Sequence, residues 1–255
     1  MARIILITSG KGGTGKTMFS ANLAYALAQL NNKVYVVDGN LTTPHLSFYY
    51  GFSLVPKTLH NFLKGETSIR DIVYFHPSGV RVIPGSIRLE DITNADPSKM
   101  ADLLLGLVPN ADFIIIDGSA GLGRETLIAL QMCDEVIVIA IPEITSLTDA
   151  KKISKLAEEL NKKVLGVVLN RVNPKLKKEN LIRIVENFTG LKVLGYIIED
   201  KKVSLSLNAR KPLFEIFPNS PVTLEIKRIA YQLIGKEFKP KTPSLLQRIK
   251  NLLRL

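Results

Sequence analysis

Ser9-Gly10-Lys11-Gly12-Gly13-Thr14-Gly15-Lys16-Thr17 is the stretch that decides how this chain folds. It carries the complete G-x-x-x-x-G-K-[ST] spacing, from Gly10 through Gly15 to Lys16 and Thr17. An apolar run (Ile4, Ile5, Leu6, Ile7) precedes it and a helix former (Ala21 to Leu30) follows, the strand-loop-helix setting of a phosphate-binding loop. The glycines at 10, 12, 13 and 15 let the backbone curl so that successive N–H groups and the helix N-terminus converge on one triphosphate. Lys16 then sets a charge on the outer phosphates, the Thr17 hydroxyl is a ligand for Mg²⁺, and Met18 continues the cradle into the helix. A flexible Gly-Ser turn carrying chance lysines would need neither the spacing nor the flanks.

Outward from the loop, apolar runs of strand length alternate with helical patterns. Lys33 to Val37 is a β-branched run of the kind buried on both faces of a parallel sheet, and it ends in Asp38-Gly39-Asn40. Ligands sit at the carboxyl ends of such strands, so Asp38 is expected to face the metal or the attacking water. Asp112 to Asp117 is a second run ending in a carboxylate, and Asp117 is expected at the water shell of Mg²⁺. Glycines at 118, 121 and 123 make the loop after it able to change shape. Glu135 to Ala140 is a third strand, followed by a helix from Ser146 to Leu160 capped by Thr145 or Ser146. Lys163 to Leu169 is a fourth, ending in Asn170-Arg171, and Leu191 to Ile197 is the last. Short elements fill residues 56–107, with a helical segment near Pro97 to Leu105. The pattern predicts an α/β fold: a doubly wound, mostly parallel sheet with helices on both faces.

The predicted organisation is one nucleoside-triphosphatase domain over residues 1–235, a linker over 236–243 carrying Pro240 and Pro243, and a terminal helix over 244–255. On that helix Leu245, Leu246, Ile249, Leu252 and Leu253 share one face, while Gln247, Lys250, Asn251 and Arg254 share the other. It fits a membrane surface, a partner protein's groove, or its own domain. Of 255 residues 46% are hydrophobic and 22% charged, as in ordinary globular chains, but the net charge is +11, which favours phosphate-rich partners. The single cysteine, Cys133, rules out an intrachain disulfide and points to a cytoplasmic home. Apolar runs fall far short of a membrane span. His45, His60 and His76 stand in unlike contexts and read as incidental, with no pairing suited to a metal.

The loop with its extra Lys11 resembles that of the MinD, ParA and Mrp ATPases. The resemblance continues through Val37 to Thr42, Leu46-Ser47, Gly51, Thr58 to Gly65 and Ile83-Pro84-Gly85. It implies that ATP is the nucleotide, with Mg²⁺ as cofactor, and that Lys11 reaches across a homodimer to the partner's triphosphate. Lys11, Lys16, Asp38 and Asn40 then form the catalytic set. Gly118-Ser119-Ala120-Gly121 resembles the second switch, with Ser119 in a position the family fills with proline; losing that restraint predicts a looser switch. Asn170 and Arg171 match the family's adenine contact, and Ile198-Glu199-Asp200 the segment closing over the base. Asn40 departs from the family, which places an aspartate there. An amide holds a water but takes no proton from it, so hydrolysis is expected to be slow.

For the biological task the resemblance leaves three readings. One is a membrane-associated spatial regulator acting through the terminal helix. Another is an accessory protein like the ATPase form of HypB, working with HypA in nickel delivery. The third is a ParA-like DNA-partitioning ATPase using Arg171, Lys175, Lys177, Lys178 and Arg183.

Overall fold

The structure, a computed structural model, describes residues 2–52, 54–92 and 95–239. The expected terminal helix over 244–255, with its apolar face Leu245, Leu246, Ile249, Leu252 and Leu253, lies outside the described residues.

Strands β1 (Arg3–Ser9), β2 (Val34–Asp38), β3 (Tyr74–Phe75), β4 (Arg81–Ile83), β5 (Phe113–Ala120), β6 (Glu135–Ala140), β7 (Lys163–Val172) and β8 (Val193–Ile198) form one sheet. Their order is β3-β4-β2-β5-β1-β6-β7-β8. Every pairing is parallel except β3 with β4, where a two-residue antiparallel strand closes one edge. The helices are α1 (Lys16–Ala28), α2 (Leu59–Lys64), α3 (Leu89–Ile92), α4 (Met100–Leu107), α5 (Arg124–Met132), α6 (Ile144–Glu159), α7 (Lys178–Thr189), α8 (Lys201–Asn208), α9 (Leu213–Ile216) and α10 (Pro221–Leu233).

The period-2 pleat divides the core into two layers. Ile4, Leu6, Ile114, Ile116, Val136 and Val138 face one side, packed with Leu103 of α4, Leu130 of α5 and Ile153 of α6. Ile5, Ile7, Ile115, Ile137 and Ile139 face the other, against Phe19 and Leu23 of α1 and Ile226 of α10. The strands are thus covered on both faces, which is why the runs read as continuous apolar stretches rather than as alternation. Truncating one, for example Ile5→Ala, costs about 2–5 kcal/mol. Strand β1 sits between β5 and β6, and the chain leaves it toward β2 on one side and later toward β6 on the other. The sheet's switch point therefore lies at the carboxyl end of β1, where Ser9 opens the glycine-rich loop.

Three local expectations are corrected. Strand β5 runs on through Ala120, which pairs with Ser9 after a register shift, so Gly118, Ser119 and Ala120 are strand rather than loop, and the turn comes at Gly121, φ 83°. Strand β7 extends to Val172, so Asn170 and Arg171 lie within it. Arg171 has φ 55° where the pairing with β8 slips between Leu169 and Val172. Helix α6 starts at Ile144, and neither Thr145 nor Ser146 caps it; the Ser146 hydroxyl instead accepts from Ile141 N–H at 3.1 Å.

Candidate functional site

Helix α1 begins at Lys16 with Gly15 as its N-cap, φ 93°, and no side chain satisfies its first N–H groups. Those donors, with Gly12 and Gly13, line a cleft of about 840 Å³ at the carboxyl end of β1. Left-handed conformations at Gly13 (φ 75°) and Gly15 turn the loop around it. Gly10 is required for another reason: a Cβ there would stand 2.1 Å from Asp149 Cβ of α6.

Lys16 is only 8% exposed, and its Nζ lies 3.0 Å from Ser9 Oγ, which donates at 2.6 Å to the Lys11 carbonyl. Burial pulls the Lys16 ammonium below its ordinary range, opposed by the charge of Asp117. Asp117 accepts from Ser20 Oγ at 2.9 Å. Burial pushes its carboxyl up to about 6 against hydrogen bonds from Thr17 and Ser20 and the charge of Lys16. Asp38, fully buried and paired in register with Asp117 across β2 and β5, is likewise raised, first by burial and then by Asp117 itself. Its Oδ2 accepts from Leu46 N–H at 3.0 Å, but its Oδ1 is buried without a partner. Two adjacent carboxylates, one with an orphaned oxygen, beside Thr17 and a phosphate cradle fit Mg²⁺, which binds through one or two carboxylates and otherwise through phosphate and water.

Asn40, Thr42, Thr43, Ser119, Arg124 and Glu125 form the opposite wall. The Asn40 amide is folded onto its own turn: Nδ2 donates to the Thr43 carbonyl at 2.8 Å and Oδ1 accepts from Thr43 N–H at 3.1 Å. Thr42 Oγ1 donates to Glu125 Oε1 at 2.6 Å, joining the loop after β2 to the first turn of α5.

Lys11 does not line the cleft; its Nζ donates to Thr145 Oγ1 at the start of α6. Asn170 is buried beneath the loop, where Nδ2 donates to the Thr14 carbonyl at 2.7 Å. Arg171 pairs with Glu199 at 2.9 Å and reaches the Gly13 carbonyl at 3.4 Å. Ile198 ends β8, and Asp200 caps α8 by accepting from Lys202 N–H at 2.9 Å. The structure thus brings Lys16, Thr17, Asp38 and Asp117 together, with Asn40 on the facing wall. It gathers Asn170, Arg171 and Glu199 around the backbone of the loop. Ser9 and Thr42 lie in stretches that the sequence singles out without giving either a role of its own, and Ser20 and Glu125 were missed. Ser20 follows Lys16 by one helical turn and was findable by that spacing; Glu125 is set by tertiary packing and carried no local signal.

Residues 5–213 match the family described as the CobQ/CobB/MinD/ParA nucleotide binding domain. The chain belongs to this family. An uncharacterised ATP-binding protein of Methanocaldococcus jannaschii is 38% identical over 94% of this chain and 90% of its own length. The flagellum site-determining protein YlxH of Helicobacter pylori is 32% identical over 92% of this chain and 82% of its own. Among solved structures, the septum site-determining protein MinD of Pyrococcus horikoshii, complexed with Mg-ADP, superposes with a TM-score of 0.86 at 33% identity. It covers 91% of this chain and 96% of its own. The MinD/ParA nucleotide-binding fold accounts for the glycine cradle at Gly10 to Thr17 and for the carboxylates of β2 and β5 at one end of the sheet.

Proposed function

We propose that this chain is an Mg²⁺-dependent ATPase whose ATP-bound form is a homodimer, used to mark position in the cell. The observation that carries the reading is the buried group Lys16, Asp117 and Asp38, in which one Asp38 carboxylate oxygen is buried without a partner. Amides from Gly12 to Thr17, with Lys16, hold the outer phosphates. Thr17, Asp38 and Asp117 hold Mg²⁺ directly or through water, and Met18, Asn170, Arg171, Ile198, Glu199 and Asp200 form the surroundings of the base. Bound there, Mg²⁺ supplies charge neutralisation for the transferred phosphoryl group. Asn40 orients the attacking water without accepting its proton, which keeps turnover slow. Lys11, turned out of its own cleft, is free to exchange Thr145 for a second copy's triphosphate.

Septum and flagellum site-determining relatives favour a spatial role. The apolar residues Leu245, Leu246, Ile249, Leu252 and Leu253 in the sequence favour attachment to the inner face of the membrane or to a partner protein through residues 244–255. The DNA-partitioning alternative is weakened because Arg171 is engaged by Glu199 and Lys178 lies 5.5 Å over the Tyr196 ring. The test is ATP turnover by the purified chain with Mg²⁺. The reading requires hydrolysis that Lys16→Ala abolishes and that EDTA stops. Turnover equal in wild type and Lys16→Ala would overturn it.

A further inference from the structure

His60 lies outside the cleft, fully buried in the first turn of α2. Both ring nitrogens are engaged. Nδ1 stands 3.0 Å from Ser86 N–H and Nε2 stands 2.9 Å from the Leu41 carbonyl. A backbone N–H only donates, so Nδ1 is the acceptor, the proton sits on Nε2, and Nε2–H donates to Leu41. One neutral tautomer satisfies both partners.

The platform under the ring is hydrogen-bonded throughout. Asn61 Oδ1 accepts from Thr58 N–H at 2.9 Å and from the Thr58 hydroxyl at 3.0 Å at the start of α2, and Leu59 N–H donates to the Pro84 carbonyl at 2.8 Å. Ser86 is held by its own hydroxyl, which donates to Asp91 Oδ2 at 2.6 Å, while Lys64 pairs with Asp91 Oδ1 at 2.9 Å. Asp91, Lys64 and Glu125 are the charged groups that act on the ring. At its other end His60 grips the carbonyl next to Asn40, on a segment also held by the local Asn40–Thr43 turn, the Thr42–Glu125 bond to α5 and the burial of Leu41 in the core cluster that contains Leu59 and Leu63. The ring is thus a hydrogen-bonded bridge from this backbone to α2 and the loop after β4.

We infer that His60 is a positioning residue: its Nε2–H bond to Leu41 fixes where the Asn40 turn stands against the mouth of the nucleotide cleft. This rests on the ATPase reading for its effect on turnover, but its effect on the loop stands apart from that reading. Substitution separates the two bonds. In His60→Gln the amide reaches where Nε2 was and keeps the donor to Leu41. In His60→Asn it reaches where Nδ1 was, keeps the acceptor for Ser86 and leaves the Leu41 carbonyl without its donor.

The experiment measures ATP turnover and amide hydrogen exchange across residues 40–43 without nucleotide in wild type and both variants. The expected result is a kcat for His60→Asn reduced about tenfold, with KM changed less than about twofold, the pattern of a lost positioning bond rather than lost binding. Exchange at 40–43 rises about tenfold or more in the same variant, while His60→Gln stays within about twofold of wild type in both readouts. Equal losses in the two variants, or a loss confined to KM, would overturn the inference. If the wild-type chain hydrolyses no ATP, the ATPase reading fails alone. The exchange measurement then decides: a rise in His60→Asn only supports the positioning role, and unchanged or equal exchange refutes it.

Discussion

Asp38 and Asp117 stand opposite each other on neighbouring parallel strands, both carboxylates buried at the carboxyl end of the sheet. The charge of Asp117 adds to the cost that burial sets on ionising Asp38, while Thr17, Ser20 and Lys16 offset only part of the burial cost of Asp117. The site is built to carry more positive charge than the chain itself provides.

A pH dependence follows for the protein free of metal and nucleotide. The Asp117 carboxyl is raised from 3.8 to about 6, so the folded state binds its proton more tightly than the unfolded chain does. That contribution to stability is fully present below pH 4 and is lost as pH rises through about 6. The thermal midpoint in EDTA is expected to rise between pH 7 and pH 5, and Asp117→Asn to flatten the rise. An equal rise in the variant would contradict the assignment.

Gly15→Ala meets two obstacles at once. Its φ of 93° is one that alanine adopts only with strain, and the new Cβ would stand 2.1 Å from Asn170 Nδ2. The strain alone costs about 1–3 kcal/mol. Urea unfolding should register at least that loss, and the Asn170 bond to Thr14 should weaken with it. Unchanged stability would mean the loop has another conformation.

Removing the buried cation acts on binding. Lys16→Ala deletes a charge-assisted contact worth roughly 10- to 100-fold in affinity. Titration with a fluorescent ATP analogue should show that weakening while the fold persists, because Ser9, the one hydroxyl touching Lys16 Nζ, keeps its bond to the Lys11 carbonyl. Retained affinity would place the triphosphate elsewhere.

Asn40→Asp keeps the acceptor for Thr43 N–H, so the turn survives, and it loses the donor to the Thr43 carbonyl. What it gains is an oxygen able to take a proton from water. Single-turnover hydrolysis is expected to speed up by about tenfold or more. An unchanged rate would remove Asn40 from the reaction.

Much of this architecture was legible because its signals are local. The loop spacing, the β-branched runs and the carboxylates closing two of them mark Lys16, Thr17, Asp38 and Asp117 in the sequence. What escaped depends on contacts distant in sequence. β5 runs past Gly118 because Ser9 offers Ala120 a partner, and β7 runs past Asn170 because its register with β8 shifts, neither of which a composition window registers. His60 was dismissed for want of a nearby metal ligand, whereas its partners are backbone groups 19 and 26 residues away. Glu125 was invisible for the same reason: its partner Thr42 is 83 residues distant.

Lys11 carries the central claim, since its ammonium leaves its own cleft for Thr145 and is assigned to a second copy's triphosphate. Light scattering on the Mg-ATP-loaded chain tests it most directly, against Lys11→Ala under the same conditions. Wild type is expected at twice the monomer mass with ATP and at the monomer mass with ADP, and Lys11→Ala at the monomer mass with either. One mass for wild type whatever the nucleotide, or pairing by Lys11→Ala equal to wild type, would contradict it.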